Sequence, residues 1–204
     1  MSLIASMGAI EIGLIFGLVA LGVHLSFRVI NFPDLTVDGS FPLGGAVAAA
    51  LIVAGIDPFA ATAAAVVAGS AAGALTAWLN VRLRIMQLLA SILVMIALYS
   101  INLRIMGKPN VALINDPTVF SRFEFVGLPE YVLKPLVLLV IVIAAKILID
   151  LFFASETGLA MRATGGNPRM ARAQGISTDR QTIVGLALSN ALVALAGALF
   201  VQSQ

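Results

Sequence analysis

The sequence predicts an all-α, polytopic transmembrane helix bundle of about six spans, organised as one domain over residues 1–204. Two observations carry that assignment. The 204 residues are 60% hydrophobic and only 11% charged, with a mean hydropathy of +1.06, whereas a soluble domain is about a quarter charged and under half apolar. The few charges are also bunched, leaving charge-free runs close to the ~20 residues a helix needs to cross a bilayer.

Span one covers Leu3 to Phe27, interrupted by Glu11 and His24. The first ten residues carry no Lys or Arg, so the basic n-region of a cleavable signal is missing and this run is expected to be a retained span. Span two lies in the eighteen uncharged residues between Asp38 and Asp57. Asp57-Pro58 then makes a turn, because Pro cannot continue the preceding helix. Span three occupies most of Pro58 to Val81, and span four Ile85 to Leu103. A polar connection with three Pro and two Gly runs from Arg104 to Tyr131. Span five is Val132 to Phe153. Span six starts near Thr182, and Thr178 with Gln181 has the spacing of a capping box before it.

Small residues recur where helices must pack. Gly13 and Gly17, and Gly69 and Gly73, form G-x-x-x-G pairs, and Gly45, Ala49 and Ala50 add a small face to span two. Such faces let backbones approach in lipid, and we expect ordinary packing within the chain rather than a dedicated dimer seam.

The segment Asn31 to Pro42, NFPDLTVDGSFP, interrupts the apolar pattern. Pro33 removes a backbone donor and pushes Phe32 out of the helical region. One helix therefore ends near Ile30, and Ser40 is placed to N-cap the next. The linker 31–40 is either a polar loop at the membrane surface or a discontinuous membrane helix, since irregular backbone survives at depth only against protein or water. In the second case the new helix start aims its positive dipole end into a cavity. Asn31, Asp34, Thr36, Asp38 and Ser40 are then the candidates for lining a substrate path. Asp34 and Asp38 are four apart, but two carboxylates do not make a metal cage, and no metal site is expected.

Between spans five and six, Glu156 to Thr178 forms a basic island with Arg162, Arg169 and Arg172, and Arg180 just beyond. Asn167 can N-cap a helix, Pro168 suits its first position, and Gly175 can close it. A helix of about two turns is too short to be stable alone. A membrane protein that holds one outside the bilayer is expected to dock it on a partner, here a cytoplasmic motor. Arg162, Asn167, Pro168, Arg169, Arg172 and Gly175 are the coupling candidates. Enforcing topology and binding anionic lipid is the plainer role for these arginines. Placing residues 156–180 in the cytoplasm also puts Arg82 and Arg84 there and leaves the Gly55–Pro58 loop outside without a basic residue, although Arg104, Lys108 and Arg122 then fall outside.

Enzyme classes find little support. His24 is the only histidine, no H-E-x-x-H pair exists, and no serine has a nucleophile motif. An intramembrane hydrolase would have to recruit His24, which we read as a helix-interface or headgroup residue. Glu11 is open between a surface anchor and a pathway residue. Lys146 and Asp150, four apart, can pair locally, with snorkelling of Lys146 the default reading. The basic excess is confined to loops, so nucleic acid is not an expected partner. The chain has no cysteine and no G-x-x-x-x-G-K-[ST] phosphate loop, so any ATP hydrolysis belongs to a partner.

The runs VINFPDLTVDGSFPLGGAVAAAL, TGLAMRATGGNPRMARAQGIS and LSNALVALAGALF resemble the permease subunits of bacterial ABC importers. The group is that of the branched-chain amino acid and ribose permeases, nearest the tryptophan/tyrosine type, and the likeness covers essentially the whole chain. It implies an inner-membrane permease homodimer and two cytoplasmic ATPase subunits binding ATP-Mg, with no cofactor in this chain. It also implies an extracytoplasmic substrate-binding protein and a small polar, amino acid-like solute, with a sugar as runner-up. It further implies that residues 163–175 hold the coupling helix and that 31–40 belongs to the interrupted helix near the path. Members of the group commonly continue past this length with a second half resembling the first, so the rest of the family domain is expected from beyond residue 204 or from elsewhere. The alternative from another class is an ion- or proton-coupled carrier using Asp34, Asp38 and Glu11.

Overall fold

A computed structural model describes residues 3–108, 111, 113, 116–126 and 129–204. Seven residues of the expected Arg104–Tyr131 connection (109, 110, 112, 114, 115, 127 and 128) lie outside the described residues. Among the described residues all regular structure is helical. Helix α1 (Leu3–His24) runs on into a π-helical segment, Leu25–Val29, followed by α2 (Val37–Val53), α3 (Pro58–Leu83) and α4 (Gln87–Met106). After a short 3-10 turn at Ser121–Val126 come α5 (Glu130–Ala154), α6 (Glu156–Gly166), α7 (Pro168–Ala173) and α8 (Thr178–Ser203). Five helices are long and apolar enough to span a membrane: Ile4–Val29, α3, α4, α5 and α8. The sixth apolar helix, α2, has only 17 residues.

The architecture is the expected all-α bundle, with α8 at its centre. It packs along α1, α2 and α3, and buries Leu186, Val193, Ala194, Ala196 and Ala198 completely. Small residues allow this. A Cβ built on Gly69 or Gly73 of α3 would overlap Ala194 or the carbonyl of Leu186 on α8, and one on Gly44 of α2 would overlap the backbone of Ala194. Ala48, Ala65 and Ala198 fill the seam where α2, α3 and α8 meet. On the other side, Ile15 and Leu18 of α1 pack with Leu138 of α5 and Leu199 of α8.

The two ends of the bundle differ. One carries α6, α7, the π segment and the α3–α4 turn, where Arg84 takes a left-handed φ of 54°. The opposite end carries the α2–α3 turn, where Asp57 accepts a hydrogen bond from the Phe59 amide (3.1 Å) and pairs with Arg122 (2.8 Å). The Asp57-Pro58 expectation holds there, with Pro58 opening α3.

Several boundary expectations are corrected. Ser40 is not an N-cap: α2 begins at Val37 after Thr36, and Ser40 sits in its first turn with its hydroxyl turned to α8. A buried hydrogen bond available to the side chain across the bundle outweighs the cap. Thr178 and Gln181 form no capping box, because α8 starts a turn earlier than Thr182, behind Ser177, and no side-chain cap bond forms. The island holds two helices, not one. The polar run Glu156–Gly166 is itself helical, N-capped by Ser155, whose hydroxyl accepts from the Gly158 amide at 3.3 Å. Finally, Gly13 and Gly17 have no neighbour within 4 Å of a built Cβ, so this pair does not pack within the chain.

Candidate functional site

The chain break between α1 and α2 starts at the α6–α7 end and descends into the bundle. The π segment ends at Val29, Asn31 takes a left-handed φ of 58°, and irregular backbone leads to Thr36 and the start of α2 at Val37. An Asn tolerates this conformation better than a branched residue does. The level of the break is set by Asn190, twelve residues into the 26-residue α8, about 18 Å from its start. Its amide donates to Asp34 Oδ2 (2.7 Å), and its Oδ1 accepts from the Ser40 hydroxyl (2.6 Å). Phe32, Asp34, Thr36 and Ser40 are buried in protein, as the discontinuous-helix reading of 31–40 requires, while Asn31 and Asp38 are exposed.

The irregular backbone is satisfied locally, as hydrocarbon depth requires. Asp34 Oδ1 accepts from the Thr36 amide at 2.9 Å, just ahead of α2. The Thr76 hydroxyl of α3 lies 3.2 Å from the Ala72 carbonyl and 2.8 Å from the Thr36 hydroxyl. Donating to the former, it accepts from the latter. Asp34, Thr36, Ser40, Thr76 and Asn190 are all fully buried. The positive end of α2 is therefore covered by the chain's own carboxylate, which corrects the expectation that it opens into a cavity.

The five pathway candidates divide accordingly. Asp34, Thr36 and Ser40 belong to the buried knot, while Asn31 and Asp38 are exposed. Asn31 lines a cavity of about 1170 Å³ at the α6–α7 end, together with Asn80, Arg84, Thr164 and Arg172. Asp38 faces α4, on a cavity of about 560 Å³ shared with Met95, Tyr99, Asn102 and Met106. The Asn102 amide donates to the Gly39 carbonyl (3.3 Å), but its Oδ1 is buried without a partner. Asp34, Asp38 and Glu11 are not brought together: Asp34 turns to α8, Asp38 to α4, and Glu11 is buried on α1 nearer the other end. Among the described residues no three His, Asp or Glu side chains cluster as a metal site.

The second site is the knuckle formed by α6 and α7. Asn167 caps α7 as expected, its Oδ1 accepting from the Arg169 and Met170 amides at 3.1 Å each. Pro168 opens the helix and Gly175 follows it at φ 81°. One face of α7 is seated on the bundle through buried Ala171 and through Arg172, whose Nε donates to the Thr178 hydroxyl at 2.8 Å. The other face is free: Arg169 is exposed and Met170 is 62% exposed. Arg162 of α6 stands over the Phe153 ring, 4.9 Å from its centroid.

Helix α6 joins this knuckle to the break. Its buried Met161 packs with Ile30 and Leu186. A Cβ built on Gly165 would overlap the carbonyl of Val29, at the end of the π segment. Reading the sequence missed Asn190, Thr76, Asn102 and Gly165. Asn190 had a usable signal, being an amide inside an otherwise apolar span, where polar groups join helices. The Gly165 contact left none, because it depends on α6 being a helix.

Comparison with known proteins finds relatives along most of the chain. Residues 7–204 match the family model described as the permease component of branched-chain amino acid transport systems. The chain is 40% identical over 190 residues to a tyrosine transport system permease protein of Clostridioides difficile, covering 93% of this chain and 61% of that protein. It is 29% identical over 166 residues to the ribose import permease protein RbsC of Escherichia coli (80% and 51% covered). It is 26% identical over 208 residues to a probable branched-chain amino acid transport permease protein LivH of Methanocaldococcus jannaschii (94% and 64%). The chain thus spans about half to two thirds of the length of these relatives. No solved structure matches it.

Proposed function

The chain belongs to the family of permease components of branched-chain amino acid transport systems, and from that premise we propose that it is the membrane subunit of an ATP-driven importer in the bacterial inner membrane. In this reading α7 seats in a cytoplasmic ATPase, a second permease copy completes the pathway, and an extracytoplasmic binding protein delivers the solute. ATP-Mg is held and hydrolysed by the partner.

The observation that carries the proposal is the contact of Gly165 with the Val29 carbonyl. It links the exposed face of α7, through the rigid helix α6, to the root of the broken segment. A displacement of α7 by the motor cannot be absorbed at that contact, since no side chain lies between the two backbones. It moves Val29 and Ile30, and through them the Asp34–Asn190 knot against α8. Packed elements with discrete arrangements are what carry such coupling.

The solute we propose is amino acid-like. The cavity beside α4 presents the Asp38 carboxylate, which has no partner among the described residues, and a buried, unsatisfied Asn102 oxygen, against Met95, Ile96 and Met106. Two acceptors, the Asp38 carboxylate and the Asn102 oxygen, face it beside the Tyr99 hydroxyl, and an ammonium on an apolar body answers that charge better than the hydroxyls of a sugar.

The test is uptake in proteoliposomes holding the complete transporter. Transport should require ATP and persist with a protonophore present. Uptake that needs no ATPase and collapses with the proton gradient would establish the carrier alternative instead.

A further inference from the structure

A second basic cluster adjoins both sites, sharing Asn31 with the chain break and Arg162 with the knuckle. Where α1 and its π segment meet α5 and α6, a cavity of about 520 Å³ is rimmed by His24, Arg28, Lys146 and Arg162, with Asp150 the acid among them. Asp150 is paired with Lys146. Among the described residues neither Arg28 nor Arg162 has a carboxylate within ion-pair distance. The cavity thus holds three cations against one carboxylate that is already engaged. The π segment and α6 both end here, carbonyl end first, so their dipoles offset part of the positive charge rather than adding to it. The excess comes wholly from side chains that could have pointed into water.

Leu21, Ile149 and Phe153 supply apolar walls, and Asn31 adds a neutral polar group. From the cavity an exposed apolar stripe climbs α5 through Ile147, Ile143 and Leu139, on the helix face that carries Lys146 and Asp150. A charged rim that continues into an apolar stripe matches an amphiphile with an anionic head, and basic pockets between membrane helices bind such headgroups. We propose that this cavity holds the phosphate of an anionic membrane lipid, with its acyl chains lying along α5. Because Arg162 is on α6, a lipid bound there also braces the helix that links α7 to the chain break.

The test uses the purified full chain in detergent, titrated separately with dioctanoyl-phosphatidylglycerol, dioctanoyl-phosphatidylcholine and inorganic phosphate. Binding is read by thermal melting and by the mass of retained adducts. The proposal expects saturable binding of the phosphatidylglycerol with a rise in Tm, and no comparable effect of the zwitterionic lipid or of phosphate. Arg28→Gln and Lys146→Gln should each weaken that binding about fivefold or more, Arg28→Lys should restore most of it, and Arg104→Gln, at the other end of the bundle, should leave it unchanged. Equal binding of phosphatidylcholine would overturn the proposal, as would full binding of phosphate alone or undiminished lipid binding in the Arg28 and Lys146 variants. If the Arg28→Gln protein does not fold, Lys146→Gln on the exposed face of α5 decides the matter.

Discussion

Gly165, next to last in α6, lies against the main-chain carbonyl of Val29, the last residue of the π segment. The two residues are 136 positions apart in a chain whose α6 is polar and whose α1 is apolar, and no side chain separates them. In this protein the basic knuckle is in backbone contact with the end of the first membrane-spanning helix.

The first prediction concerns that contact. Gly165→Val inserts a branched side chain where even a Cβ has no room, at a cost of about 1–3 kcal/mol if the core cannot relax. The variant should insert but show a lowered Tm and impaired uptake with ATP hydrolysis retained. Gly166→Ala, where a Cβ meets open space, should resemble the parent in both measurements.

The buried knot predicts a graded series. Ser40→Ala removes one donor to Asn190 and leaves its buried, neutral Oδ1 unpaired, at a cost of about 1 kcal/mol. Asn190→Ala removes the donor to Asp34 as well and leaves a fully buried carboxylate short of a partner, which costs about 2–3 kcal/mol. Thermal melting should therefore rank Asn190→Ala well below Ser40→Ala. Equal losses would mean that Asp34 finds another donor and the knot is not its anchor.

Glycine position predicts opposite outcomes for two identical motifs. Gly73→Ala forces a methyl group into the Leu186 carbonyl, so α3 and α8 must separate and folded yield should fall. Gly13→Ala and Gly17→Ala have free space on α1 and should leave the Tm of the solubilised chain unchanged or slightly raised, since Ala is the better helix former.

For the solute cavity, Asp38→Asn keeps the shape and removes the charge. Asp38 is exposed and outside the knot, so the variant should melt as the parent does while uptake of an amino acid substrate falls tenfold or more. Asn102→Leu should raise or preserve stability by removing an unsatisfied buried oxygen, yet also weaken uptake. Normal transport by both variants would remove this cavity from the path.

What the sequence made legible follows the strength of each local signal. Charge-free runs located every long helix, and Asn167, Pro168 and Gly175 placed α7 because capping chemistry is local. Pro33 located the break for the same reason. The roles of Ser40 and Thr178 were misread because both have tertiary partners, Asn190 and Arg172, that no spacing rule anticipates. Helix α6 was passed over because it is polar, and helices outside lipid lack the apolar run that marks a span. Gly13 and Gly17 looked like Gly69 and Gly73, and only the position of α8 distinguishes them.

The central claim is that force enters the bundle through α7, and its most direct test is charge reversal on that helix, at Arg169 of its free face and at Arg172, which also seats it on Thr178. In the reconstituted complex, Arg169→Glu together with Arg172→Glu should leave ATP hydrolysis measurable while substrate uptake falls by tenfold or more. Thr178→Val, which removes only the internal partner of Arg172, serves as the structural control. Uptake at the parent rate in the double reversal, with the protein correctly inserted, would contradict the account.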